Sequence, residues 1–162
     1  EVGVGPGGAW RHFLGADGPL TDCWADPWAL ARMVRVFTAW NAHCQETLGH
    51  DLERCAPMVG DLSYLDDRRP DPLGHRDHFR GDCVDLRLWR TDGSRYEAYW
   101  DRPDDRPGRG GGYDAETTRA FIAFVSSREE TSTLLFNDPK AEGARAARGH
   151  DDHIHVCVDR SR

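Results

Sequence analysis

Several features that define common functional classes are missing from this sequence. The 162 residues carry a net charge of −7, and the arginines are scattered among aspartates instead of forming a basic stripe, so we expect no nucleic-acid partner. No apolar run approaches the roughly 18 residues that a membrane-spanning helix needs, so we expect no membrane span. There is no internal repeat, and low complexity is limited to a glycine-rich stretch at residues 108–112.

A secretory signal is also missing, and the chain opens at Glu1 instead of methionine. We therefore interpret the sequence as a mature form or an excised domain. The length suits one domain with a real core and is short for two. We expect a single domain over residues 1–162, in which residues 1–22, rich in glycine and proline, form an irregular N-terminal arm. Six tryptophans and six phenylalanines can build the core, although only 38% of the residues are hydrophobic.

The cysteines form no Cys-x-x-Cys pair, which argues against a structural zinc knuckle. Two interpretations stay open: buried apolar thiols, or an oxidising compartment with up to two disulfides and one cysteine left over. If Asp85 and His155 face each other on antiparallel strands, Cys83 lies opposite Cys157. Cys44 and Cys55, which flank the exit of a helix, are the other candidate pair. The five cysteines are Cys23, Cys44, Cys55, Cys83 and Cys157.

Capping signals and apolar spacing predict two main helices. Asp26 and Pro27 suit the N-cap and the first position of a helix over residues 27–48, along which apolar residues recur at helical spacing. A second helix is predicted from a cap at Asp114 to a point near Ser127. Between and after the helices, β-prone runs predict short strands. These runs cover residues 58–65, 84–89, 131–136 and 153–158.

A turn signal at residues 91–94 predicts a hairpin whose return strand covers residues 96–100. Two helices and four to five short strands in mixed order predict an α+β fold. In this fold a small, mostly antiparallel central sheet would carry a metal site and would be flanked by the two main helices and by long loops.

Five of the eight histidines fall in two short stretches, residues 74–85 and 149–155. Successive side chains alternate between the two faces of a strand, so His153 and His155 should point to the same side. Catalytic zinc usually takes three ligands from His, Asp or Glu and keeps a fourth position for water. We predict that His78, Asp85 and His155 bind Zn²⁺.

The remaining residues of the two stretches are assigned supporting roles. His153 can take a proton from the attacking water or stabilise the developing oxyanion, and His150 is assigned to catalysis with it. His75 and His150 lie at the rims of the two stretches and would line the cleft. Asp82 and Asp152 are candidates for substrate contacts or for carboxylates that orient a neighbouring imidazole.

These stretches resemble a known family, the penicillin-insensitive murein endopeptidases. The wider pattern, His-x6-Asp followed by a distant His-x-His, resembles the signature of the lysostaphin, D-Ala-D-Ala peptidase and hedgehog-type zinc fold. The resemblance covers roughly residues 57–158. Two runs carry most of it: Gly74-His75-x-x-His78-x-x-Gly81-x-x-Val84-Asp85 and Gly149-His150-Asp151-x-His153-x-His155.

The resemblance implies a zinc metallo-endopeptidase that hydrolyses peptide cross-links of bacterial peptidoglycan next to a D-amino acid. The stem peptides of peptidoglycan would be its partners, and the location would be periplasmic or secreted. An immunity or inhibitor protein would be a further partner if the protein is an effector delivered against another bacterium.

Two alternatives stay open: a D,D-dipeptidase or carboxypeptidase on the same fold, and a non-catalytic zinc-containing binding module. Related D,D-peptidases place a glutamate where Asp152 stands, whereas His153 favours the endopeptidase pattern.

Overall fold

The computed structural model describes residues 2–4, 8–13, 25–60, 62, 81–94, 98–102 and 112–159. Within these ranges the chain forms three helices and six strands, which confirms the predicted α+β class. In chain order the elements are β1 (Val2–Val4), β2 (Arg11–Phe13), α1 (Pro27–Leu48), α2 (Leu52–Cys55), β3 (Met58–Val59), β4 (Cys83–Arg87), α3 (Ala115–Ser126), β5 (Thr131–Leu135) and β6 (His153–Val158).

The six strands form one sheet in the order β1-β2-β3-β4-β6-β5. Strands β2 and β3 run parallel, and the other neighbouring pairs are antiparallel, as the sequence predicts for most of the sheet. Strand β6 lies between β4 and β5. The ends of the two histidine-rich stretches, at Asp85 and His155, are therefore brought side by side near the middle of the sheet.

Helix α1 has the predicted bounds, and its ends explain why it forms there. The Asp26 carboxylate accepts a hydrogen bond from the Trp28 amide at 3.2 Å, and Pro27 occupies the first turn. Gly49 ends the helix with a φ of 69°, a left-handed conformation that glycine adopts without strain. The buried face of α1 consists of Ala29, Met33, Val36, Phe37, Trp40, Asn41 and Cys44.

The core joins α1 and α3 to one face of the sheet through aromatic side chains. Trp40 of α1 packs edge-on against Phe121 of α3, with ring centroids 5.3 Å apart, and Trp89 lies 4.9 Å from the same ring. The Trp40 indole donates a hydrogen bond to the Cys55 carbonyl at 2.8 Å, so its one polar atom is satisfied. Alternate residues of the central strands enter this core: Val84, Leu86, Ile154 and Val156.

Both candidate disulfides form. Cys44 of α1 is bonded to Cys55 at the end of α2, with Cα atoms 5.8 Å apart. Cys83 of β4 is bonded to Cys157 of β6, which are partners in the strand register. The prediction of two disulfides is therefore confirmed for these four residues. Cys23 lies outside the described residues.

Two local predictions were wrong. Residues 1–22 are not irregular throughout, because β1 and β2 form within them and β2 pairs with β3. A strand pair can form through backbone hydrogen bonds without hydrophobic alternation, so no sequence pattern predicted β1 and β2. In the predicted return strand, residues 98–100 form no strand, and Arg90 forms a bridge with Tyr113 instead.

Candidate metal centre

The candidate centre lies on the sheet face that is turned away from the aromatic core. The antiparallel register pairs Asp85 with His155 and Cys83 with Cys157, as predicted from the sequence. Because the side-chain period of a strand is two, both pairs share one face with His153, while their neighbours enter the core. One face of two strands thus gathers a carboxylate, two imidazoles and two sulfur atoms.

His155 is the centre of this group. Its side chain is buried, with 3% of the residue surface exposed, and Asp85 beside it is 4% exposed. The Nδ1 atom of His155 lies 2.8 Å from Asp85 Oδ1. On the other side of the ring, Nε2 lies 3.1 Å from the Sγ atom of Cys157. Both nitrogens of this imidazole therefore have a close neighbour: a carboxylate oxygen beside Nδ1 and a disulfide sulfur beside Nε2.

His153 lies at the edge of the same group and is oriented by its neighbour in sequence. Its Nδ1 atom is 2.8 Å from Asp152 Oδ1, and its Nε2 atom is 3.8 Å from Asp85 Oδ2. Burial alone would lower the pKa of His153, but the hydrogen bond to Asp152 and the charges of Asp85 and Asp152 outweigh it, so the pKa is raised. His153 thus holds a proton more readily than an ordinary histidine.

His150 closes the group from the loop that precedes β6. Its ring lies 4.8 Å from the ring of His153 and 5.7 Å from that of His155, measured between centroids. Its Nδ1 atom faces the carbonyl oxygens of Ala147 and Arg148 at 3.2 and 3.3 Å. Burial, reinforced by the charge of His153, lowers the pKa of His150, so this ring favours the neutral form.

The loop of the second histidine stretch is held by two residues to which the sequence assigned no role. Asn137 donates from its side-chain amide to Asp151 Oδ1 at 2.8 Å and from its backbone amide to the His150 carbonyl at 3.0 Å. The Trp100 indole donates to the same Asp151 oxygen at 3.3 Å. These contacts join segments distant in sequence and follow no periodic pattern.

The other residues assigned from the sequence fall in three different situations. Asp152 contacts His153, as its expected orienting role requires. The Asp82 side chain is buried and lies 3.6 Å from Cys83 Sγ, on the disulfide side of the centre. His75 and His78 lie outside the described residues, so their assignments stay predictions.

Within the described ranges, one group of side chains could hold a metal ion: Cys83, His155 and Cys157. Each offers one ligand atom, these atoms lie within 4.8 Å of one another, and all three residues are buried. From the sequence, these two cysteines were interpreted as buried thiols or as a disulfide pair, and neither interpretation made them metal ligands. The signal was present, because the register that pairs the cysteines also places His155 on their face.

Comparison of the chain with protein-family models and with curated proteins gives no match. The resemblance to murein endopeptidases therefore rests on the quoted motif runs alone.

Among the described helices, none is both long enough and apolar enough to cross a membrane. The two disulfides are compatible with an extracytoplasmic location, since such bonds persist mainly in oxidising compartments.

Proposed function

We propose that this protein is a zinc metallo-endopeptidase that hydrolyses peptide cross-links of bacterial peptidoglycan. The observation that carries the proposal is the contact between Asp85 and His155. Their carboxylate and imidazole, predicted from the sequence as ligands of one metal, lie 2.8 Å apart and buried on adjacent strands. His153, predicted to assist catalysis, reaches the same carboxylate at 3.8 Å.

The residues present suit zinc. Asp85 Oδ1 and His155 Nδ1 are an oxygen and a nitrogen donor of the kinds that catalytic zinc sites use, and they converge on one point of the sheet. With His78 as the third ligand, the set would leave one coordination position for water. Zinc bound there would supply a Lewis acid that lowers the pKa of that water towards ~7.

His153 is the residue best arranged to move a proton in this reaction. Asp152 accepts the hydrogen from Nδ1, which fixes the ring and leaves Nε2 towards Asp85 and the candidate ligands. At Nε2 the ring would accept a proton from the nucleophile and later donate it to the leaving amine.

The substrate class is supported by the motif resemblance. A periplasmic or secreted location is supported by the two disulfides, and it would place the protein where peptidoglycan is found.

The test is to incubate purified peptidoglycan with zinc-loaded protein, with and without a chelator, and to separate the fragments by mass. We expect cross-linked dimers to disappear, with new amino termini at the cross-link, and the chelator to prevent this. If the dimers persist with zinc-loaded protein, the endopeptidase proposal is wrong. Release of free D-Ala or D-Ala-D-Ala would instead identify a D,D-carboxypeptidase or dipeptidase. Binding to peptidoglycan without cleavage would identify a non-catalytic module.

A further inference from the structure

His155 stands between two different sets of metal-binding atoms. Its Nδ1 atom faces the Asp85 carboxylate at 2.8 Å, and its Nε2 atom faces Cys157 Sγ at 3.1 Å. Cys83 Sγ belongs to the second set, since the ligand atoms of the two cysteines and His155 lie within 4.8 Å of one another. The proposed zinc site uses the first set only.

A neutral imidazole offers one lone pair, so it can serve only one of these sets at a time. If Nδ1 binds a metal together with Asp85, the ring proton is on Nε2. If Nδ1 instead donates its proton to Asp85, the lone pair is on Nε2 and points to the sulfur atoms. The contact at 2.8 Å between His155 and Asp85 is compatible with the second arrangement as it stands.

We propose that the redox state of the Cys83–Cys157 pair decides which metal set His155 serves. As a dithiol, the pair forms with His155 Nε2 a second metal site for a thiophilic ion such as Zn²⁺, Cd²⁺ or Cu⁺. In the disulfide the sulfur atoms are no longer thiolate ligands, so His155 can bind a metal ion only together with Asp85. Two cysteines and one histidine are a recognised zinc ligand set with a fourth position open.

Asp85 has a defined part in the reduced state as well. Metal-binding histidines usually donate their other ring N–H to a carboxylate, which fixes the tautomer and strengthens the ligand. Asp85 Oδ1 already lies where it would accept that hydrogen from His155 Nδ1. The carboxylate would therefore be a ligand in one state and an orienting partner of His155 in the other.

The switch needs a reductant, which a small dithiol can supply. Two electrons and two protons pass to the Cys83–Cys157 bond, which breaks into two thiols, while the dithiol closes into its own disulfide. Binding of the ion then releases the two thiol protons to solvent. In the reverse direction the ion leaves, and a small-molecule disulfide takes two electrons from the two thiolates and two protons from solvent as the Cys83–Cys157 bond forms again.

One consequence rests on the proposed function. An ion bound at Nε2 would prevent His155 from binding the catalytic zinc together with Asp85. Reduced protein loaded with a thiophilic ion should then lose hydrolysis, which reoxidation in the presence of a chelator, followed by zinc, should restore. The second metal site itself does not depend on peptidoglycan being the substrate. Metal binding and hydrolysis are therefore measured separately.

The test is a titration of the full chain with Co²⁺, before and after reduction by a small dithiol that is then removed without oxygen. Thiolate coordination gives a charge-transfer absorption that nitrogen and oxygen ligands do not give. We expect this band, at one ion per chain, in the reduced protein and not in the oxidised one. The double variant Cys83→Ser/Cys157→Ser should lack it in both states.

The matched control is Cys44→Ser/Cys55→Ser, which also removes one disulfide but lies in the helical part of the core. It should keep the band after reduction. Cys23 is present in both double variants and cannot explain a difference between them. If the band is absent from reduced wild-type protein, or if it survives in Cys83→Ser/Cys157→Ser, the second metal site is wrong.

Alkylation of the reduced chain, mapped by peptide mass, gives a second measurement that needs no variant. Cd²⁺ should protect Cys83 and Cys157 from the reagent and leave the reactivity of Cys44 and Cys55 unchanged. Equal alkylation with and without Cd²⁺, including the case in which reduction unfolds the chain, overturns the proposal. Zinc-loaded oxidised protein that shows no hydrolysis would overturn the proposed function alone.

Discussion

Two buried aspartates with similar exposure have very different partners. Asp85 is 4% exposed and Asp138 is 3% exposed. Asp138 accepts hydrogen bonds from the Arg119 guanidinium at 2.7 Å, from the Tyr113 hydroxyl at 2.8 Å and from the Lys140 amide at 2.9 Å. Asp85 lies against two imidazoles, at 2.8 Å from His155 and 3.8 Å from His153.

The difference lies in what each set of partners can do. A guanidinium is permanently charged and cannot give up its protons, so it holds Asp138 as an anion in one arrangement. An imidazole can lose a proton or bind a metal in its place, so the surroundings of Asp85 can change state. Asp138 therefore has the environment of a structural anchor, and Asp85 has the environment of a group that takes part in chemistry.

The most severe test of this comparison is Asp85→Asn. Its side chain keeps the shape of aspartate but loses the charge that both His155 and a metal ion would need. We expect zinc affinity to fall more than about a hundredfold, since loss of a mere outer-shell partner already costs ~10–100-fold, and we expect hydrolysis to be lost. Equilibrium dialysis against a competing chelator measures the affinity. The matched change Asp138→Asn should leave the affinity unaltered, and equal losses in the two variants would contradict the comparison.

A second variant tests whether His153, beside Asp85, contributes to catalysis and not to zinc binding. His153→Ala should keep zinc bound, because His153 is not among the predicted ligands, while the rate of cross-link cleavage falls by about 10²–10⁴-fold. His150→Ala should cost less, because the described hydrogen bonds of its ring go to backbone carbonyls. Zinc content and rate are measured on the same preparation. Loss of zinc from His153→Ala would mean that the ligands are wrongly assigned.

The sequence predicted the Asp85 side of this comparison better than the Asp138 side. Alternation along β4 and β6 means that one correct pair fixes all others, so Asp85 opposite His155 also predicts Cys83 opposite Cys157. The bounds of helix α1 could be predicted equally well, because its caps and its apolar spacing are local signals.

The Asp138 group has no comparable signal. Arg119 comes from α3, Tyr113 from the segment before that helix, and Asp138 from the loop after β5. These residues meet only because the helix packs on the sheet, and no sequence period relates them. The Asn137–Asp151 contact is of the same kind. Tertiary contacts between loops therefore could not be predicted from the sequence, whereas strand register and helix bounds could be.

The smallest expected effect concerns the stability that Asp138 contributes. Burial alone would raise the pKa of Asp138, but the hydrogen bond from Arg119 and those from Lys140 and Tyr113 outweigh it, so the pKa lies below the ordinary 3.8. Such a contribution is present above the pKa of the unfolded chain and is lost as the pH falls through the lower pKa of the folded state. At neutral pH, Asp138→Asn should lower the free energy of unfolding by about 1–3 kcal/mol, because the donors of Arg119 and Tyr113 lose a charged acceptor.

The pH dependence separates this charge effect from a mere packing defect. Urea unfolding of wild type and Asp138→Asn over a pH series should show the stability gap shrinking as the pH falls below 3.8, because the wild-type carboxylate is then being protonated. A gap that stays constant from neutral pH into acid would mean that the shape of the side chain, and not its charge, holds Arg119 and Tyr113. Asp138 would then no longer be the charged anchor against which Asp85 is compared.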